Sequence, residues 1–167
     1  MSSIKQPTVI GPSDGDLLDF NGSDMYIKFD GTDTDQGFYV AHEIIDPRTL
    51  SAPLHYHHNE NEYFYVVEGT LGVMLGDEAV EADAGSWVFK PRHQWHTYWN
   101  PADTPCHIIL VVSPAGVENY LREIVDLFGK DEEQLGRLTE KYELEMDFEG
   151  VPELCERFGL SFAEAEG

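Results

Sequence analysis

From Met25 to Pro114 apolar and polar residues alternate over short runs, and each run is broken by Gly, Pro, Asn or Asp. That alternation, with its punctuation, predicts strands over 24–30, 37–46, 53–58, 61–68, 70–76, 78–81, 86–90, 94–100 and 105–112. Glu68-Gly69-Thr70 and Leu75-Gly76-Asp77 carry the glycines expected of hairpin turns. Short, regularly spaced strands with no helical run between them predict a mainly β fold, an antiparallel sandwich or barrel of the jelly-roll kind.

After Ser113 the period changes. Val117, Tyr120, Leu121, Ile124, Val125 and Phe128 recur at intervals of three and four, with Pro114 near the start and Gly129 past the end, which predicts an amphipathic helix. Asp131 with Gln134 resembles a capping box ahead of Leu135, Leu138 and Tyr142, and a third short helix with Leu154 and Phe158 is framed by Pro152 and Gly159. Residues 1–23, rich in Pro, Gly, Ser and Asp, read as an extended arm. The chain therefore divides into an arm (1–23), a barrel (24–115) and a C-terminal helical extension (116–167), together one domain. The apolar stripe of the extension must pack on the barrel or on a second subunit.

Ten Lys and Arg stand against 32 Asp and Glu, a formal net charge of −22. Such a surface repels phosphate backbones and anionic lipid, so neither nucleic acid nor membrane is an expected partner. Cys106 and Cys155 have no framework spacing and read as free, buried thiols in a reducing compartment. Met1 to Asp16 lack an apolar signal core, and no later run approaches the ~20 apolar residues of a membrane span. A cytoplasmic location is expected.

The chemistry concentrates in His55-Tyr56-His57-His58-Asn59-Glu60-Asn61-Glu62. Side chains at i and i+2 of a strand share a face, so His55 and His57 can chelate one ion while Tyr56 points away. A short turn through Asn59 then brings Glu62 opposite the pair. The best fourth ligand is His96, whose strand parity puts Tyr98 on the same inner face and Trp95 and Thr97 on the other. Three imidazoles and one carboxylate suit one divalent transition metal, Mn, Fe, Co, Ni, Cu or Zn, better than Ca or Mg, and ligand type does not choose among the six. The barrel is large enough to fold without a staple, so the metal is expected to be functional.

At these residues the sequence resembles the cupin superfamily. His55-x-His57-x4-Glu62-x6-Gly69 is similar to the first cupin motif, and Gly85-x5-Pro91-x-His93-x2-His96-x3-Asn100 to the second, with His93 where the family has glycine. Gly69 and Gly85 are separated by 15 residues, as in small bacterial cupins, and the helix after Val111-Val112-Ser113-Pro114 resembles the ending of single-domain cupins of the quercetin-dioxygenase-like type. The resemblance implies a double-stranded β-helix with C-terminal helices and, as in many such proteins, a homodimer. At a position where the family glycine can take positive φ, His93 is expected to bring a small local distortion and to face solvent, the rival reading being a fifth ligand or a proton shuttle. His58 has the wrong parity for a ligand and Glu60 the wrong spacing, so Glu60 reads as a neighbour of the ligands or as solvated. Asn100 reads as a turn residue bonded to backbone.

Trp87, Phe89, Phe64, Tyr98 and Phe38 are candidates for an aromatic-lined cavity around the ion. Of these, Tyr98 shares parity with a ligand, and its hydroxyl could donate to a bound substrate. The leading expectation is a metal-dependent dioxygenase, an oxidoreductase that cleaves an enol or hydroxy-carbonyl compound of the flavonol type, with Glu62 and Tyr98 as catalytic groups and Glu62 able to act as base. The alternatives are a redox-neutral isomerase or lyase, and a cupin that binds a small molecule or metal without turnover.

Overall fold

The structure is a computed structural model that describes residues 7–127 and 131–162. Its strands are β1 (Asp16–Asp19), β2 (Ser23–Phe29), β3 (Tyr39–Ile45), β4 (Leu54–His57), β5 (Asn61–Glu68), β6 (Thr70–Leu75), β7 (Glu78–Asp83), β8 (Trp87–Lys90), β9 (His96–Trp99), β10 (Cys106–Ser113) and β11 (Leu144–Asp147). The helices are α1 (Val117–Ile124), α2 (Glu132–Lys141) and α3 (Val151–Phe158).

Two antiparallel sheets form, one ordered β1-β2-β3-β10-β5-β8 and the other β11-β4-β9-β6-β7. Burial alternates strictly along β3 and β10, as a sheet with one face on the core requires. Tyr39, Ala41, Phe64, Val66, Ile108 and Leu110 fill the space between the sheets. The arrangement is the jelly-roll sandwich expected, with its helices after the barrel strands.

Two short strands depart from the expectation. β1 falls inside the stretch read as an arm and pairs with β2, while β11 falls inside the extension and pairs with β4. Each has four residues, too few for an alternation to register. β11 is the more consequential, since it sets Leu144 beside His57 and Met146 beside His55.

The stripe of α1 finds its partner within the chain: Val117, Tyr120 and Ile124 join the barrel core. Phe128 and Gly129, the expected end of that helix, lie outside the described residues. The Asp131 side chain caps α2 by accepting from the Gln134 N–H at 2.9 Å. Beyond it, α3 lays Leu154 and Phe158 over Leu50, Met74 and Trp99, with the Trp99 and Phe158 rings stacked at 4.2 Å. The Trp99 indole lies so close over Gly72 that any Cβ there would overlap it. Cys106 is buried and Cys155 half-buried, both free, and burial pushes the Cys106 thiol up to about 12. Among the described residues no helix is long and apolar enough to cross a membrane.

Candidate metal centre

β4 carries His55 and His57 on its inner face, and the turn after it returns the chain so that Glu62 enters β5 facing the same interior. On the other side of β4, β9 places His96 directly across from His55. One ligand atom from each of His55, His57, Glu62 and His96 lies within 4.8 Å of the others. All four are buried, at 4, 4, 5 and 0% exposed.

The imidazoles are oriented from behind. His55 Nδ1 lies 2.8 Å from the Pro53 carbonyl, His96 Nδ1 3.0 Å from the Gln94 carbonyl, and His57 Nδ1 3.1 Å from Glu60 Oε2. With acceptors at every Nδ1, the protons belong there and each Nε2 turns a lone pair toward the common centre, the arrangement that second partners impose on metal-binding histidines. Glu62 Oε2 sits 2.8 Å from His96 Nε2 and 2.7 Å from Lys90 Nζ. None of these three buried atoms completes a hydrogen bond among the described residues. Inward lone pairs and a buried carboxylate around one point fit a divalent cation with nitrogen and oxygen ligands.

Charge distribution agrees with that fit. Burial acts to raise the Glu62 carboxyl, but its neighbours, the Lys90 ammonium foremost, outweigh it and hold the group well below the usual carboxylate range. Burial, followed by the neighbouring His96 and His57, holds His55 well below the ordinary histidine value. Burial and then Lys90 lower His96. The carboxylate is thus kept charged and these imidazoles neutral, the states in which they bind metal.

Two further buried groups were not singled out in the sequence. Lys90 is 1% exposed, opposite Glu62 on β8, with its ammonium 4.0 Å and 4.4 Å above the Phe64 and Tyr98 ring centres. Burial lowers it from the ordinary lysine value while Glu62 pulls it back up. Glu43, also 1% exposed, accepts hydrogen bonds from Ser23, Ser51 and, at 3.0 Å, the Tyr98 hydroxyl. Burial raises its carboxyl despite those donors.

Tyr98 shares the interior with His96, as parity requires, and its hydroxyl is engaged by Glu43. The aromatic lining expected around the ion needs correction. Phe64 is core, but Trp87 is 68%, Phe89 54% and Phe38 41% exposed. The reason is register: Tyr65 pairs with Trp87 and Tyr63 with Phe89, so these residues share the face opposite Glu62 and Phe64. Of the candidates, Tyr98 does line the chamber beside the ligands, about 60 Å³, whose other walls include Tyr39, Tyr120, Leu110, Val117, Leu144 and Met146. A second chamber of about 60 Å³ adjoins it through Met25, Ala52 and Tyr98 and reaches Glu43. His93 takes φ 65°, is exposed, and places Nδ1 3.3 Å from the Tyr56 hydroxyl, away from the centre. His58 also faces outward, 2.8 Å from Glu145, and Asn100 donates to the carbonyls of Ile45, Asp46 and Thr104.

Comparison with known proteins adds a frame. Residues 41–112 match the family model described as the cupin domain. The chain is 32% identical over 60 residues to the tetracenomycin polyketide synthase protein TcmJ of Streptomyces glaucescens, a match covering 36% of this chain and 40% of that protein. Among solved structures it is similar to KdgF from Halomonas sp. (TM-score 0.59, 18% identity, 68% of this chain and 99% of that one). It is also similar to ectoine synthase from P. lautus (TM-score 0.56, 19% identity, 65% and 75%). At these identities the structural likenesses speak for the fold alone.

Proposed function

From the cupin domain that residues 41–112 make up, we propose a metal-dependent enzyme that moves protons on a small oxygenated substrate, an isomerase or lyase without net redox change. The supporting observation is Lys90, a fully buried amine 2.7 Å from a candidate ligand carboxylate and lowered by burial. Buried lysines are costly, and an amine that burial lowers from its ordinary value gives up its proton more readily than an exposed one. Tyr98 and Glu43 extend the set of proton-holding groups into the adjoining chamber.

A metal held by His55, His57, Glu62 and His96 would supply Lewis acidity to a carbonyl or carboxylate oxygen of the substrate. The chain's own residues do the rest. The apolar walls exclude water and strengthen the charges inside. Lys90 fixes the Glu62 carboxylate and can donate or accept a proton at Nζ. Size supports a small substrate, since about 60 Å³ is far below the roughly 300 Å³ at which ligand pockets for drug-sized molecules begin.

The dioxygenase reading is the second one, and the largely apolar lining of the chamber favours it. A polycyclic flavonol would require the α1 and β11 walls to move apart. Protein loaded in turn with Mn, Fe, Co, Ni, Cu or Zn distinguishes the two. Small hydroxy and keto acids in deuterated buffer should exchange carbon-bound hydrogen with solvent, read by NMR, while an oxygen electrode stays flat. Oxygen uptake without exchange would favour the dioxygenase.

A further inference from the structure

The chamber that adjoins the metal centre holds a buried carboxyl group with no cation against it among the described residues. Glu43 enters this chamber from β3. Its Oε1 accepts from the hydroxyls of Ser23 and Ser51, and its Oε2 from the Tyr98 hydroxyl at 3.0 Å. A carboxylate has about four acceptor sites, so Oε2 has room for one donor more. Burial outweighs the three hydroxyls and the more distant Lys90 and raises the carboxyl, so the surroundings still lack positive charge. Among the described residues no Lys or Arg lines this chamber or the one beside the ligands. The approach is acidic too. A surface hollow of about 420 Å³ shares Asn21, Gly22, Thr49 and Phe162 with the Glu43 chamber and has Asp46 in its wall. Burial, then Asp19 and Asp46, raise the neighbouring Asp24 carboxyl, so three acids gather on this side. Arg48, in the loop beside them, is held by Asp103 at 2.8 Å.

We propose that this chamber binds an ammonium group, so that the site takes a short ω-amino acid with its carboxylate at the metal centre and its amine against Glu43. This rests on the reading of the metal centre as the place where a substrate oxygen binds. The two chambers share Met25, Ala52, Tyr98, Leu121 and Met146, which makes them one path from Glu43 to the ligands. Each, at about 60 Å³, has room for roughly four water-sized groups at ~15 Å³ apiece, so together they fit a chain of about six to eight non-hydrogen atoms. An ammonium supplies both things Glu43 lacks, a further donor and a positive charge, and such a charge-assisted bond is roughly twice as strong as a neutral one. A second carboxylate or a phosphate at this end would face Glu43 with no cation to receive it, and a hydroxyl would donate without neutralising. The net charge of −22 and the acidic mouth likewise draw cationic groups in and repel dianions.

Calorimetry and the visible spectrum of the cobalt-loaded full chain test this. The probes are β-alanine, γ-aminobutyrate and δ-aminovalerate, each against the unsubstituted acid and the dicarboxylate of the same length. At one of these lengths the amino acid should bind about 10-fold or more tighter than both controls, and should perturb the cobalt spectrum as its carboxylate reaches the metal. Glu43→Gln should abolish that preference while cobalt affinity and binding of the unsubstituted acid stay at their wild-type values. Circular dichroism checks its fold; should it unfold, Glu43→Asp keeps the charge and should shift the best-bound length up by one methylene. Hydrogen exchange with solvent is read separately, so amine-selective binding without exchange supports this site and overturns only the isomerase or lyase reaction. Failure to take up cobalt would instead overturn the metal centre on which both rest. Equal or absent binding of the amino acids overturns the proposal, as does a preference that survives in folded Glu43→Gln or a best length unchanged in Glu43→Asp.

Discussion

His57 Nδ1 and Glu60 Oε2 lie 3.1 Å apart, both buried, in a turn of the chain that spans the two candidate ligand strands. Glu60 does not reach the centre itself. It holds the imidazole that does, so that the proton stays on Nδ1 and the lone pair on Nε2 points inward.

Glu60→Ala should therefore weaken metal binding by about 10–100-fold while leaving the four ligand side chains in place. Competition titration with a metallochromic chelator measures it. An unchanged affinity would mean that backbone packing alone orients His57.

Acidification should destabilise the metal-free protein. Burial, then neighbouring charges, hold His55 and His96 below their usual 6.5, so below that pH an unfolded chain takes up protons that the folded one resists. Their contribution is complete above 6.5 and is lost as the pH falls toward the folded values, at up to about 1.4 kcal/mol per pH unit for each histidine. Glu62, held below 4.5 chiefly by Lys90 against its burial, adds a loss of the same sign at lower pH. Melting of chelator-treated protein between about pH 7.5 and about pH 5.5 should show the decline. A flat profile would contradict the assigned protonation states.

The clustering of three candidate ligands is legible because strand parity and spacing act locally: His55 and His57 need two residues of sequence to share a face, and Glu62 one turn more, whereas His96, on a strand distant in sequence, is reached only through the second motif. Lys90 was not legible. It ends an apolar run where a lysine ordinarily marks a strand reaching solvent, and only its pairing with Glu62 across strands distant in sequence shows that it points inward. Glu43 was hidden likewise, its three hydroxyl donors coming from β2, β9 and the loop before β4. Trp87 and Phe89 were misplaced because hydrophobicity alone suggested the interior, whereas the inward lysine at the end of β8 fixes the parity of the whole strand.

Gly72→Ala should cost stability without touching the metal. A Cβ at Gly72 meets the Trp99 indole, which is trapped between β6 and Phe158 of α3 and has little room to yield. Overpacking of this kind costs about 1–3 kcal/mol, or roughly 2–4 °C of melting temperature per kcal/mol in a chain of this size. Differential scanning calorimetry reads the shift. A variant that melts with the wild type would show that α3 moves freely off the sheet.

Lys90→Met separates the two tasks assigned to that residue. In the metal-free protein Lys90 is the cation beside the buried Glu62 carboxylate, and deleting one member of such a pair costs about 3–5 kcal/mol. A bound divalent ion would replace the missing positive charge, so the same substitution should destabilise the loaded protein much less. Thermal melts of wild type and variant, each with and without metal, make a cycle whose coupling measures how far ion and ammonium serve the same carboxylate. If Lys90 also transfers a proton, the loaded variant should keep its metal and lose solvent exchange into the substrate, by about the 10²–10⁴-fold of a missing acid or base. A loaded variant that melts lower by as much as the metal-free one would show that Glu62 does not share its charge with the ion, and would remove it from the ligand set.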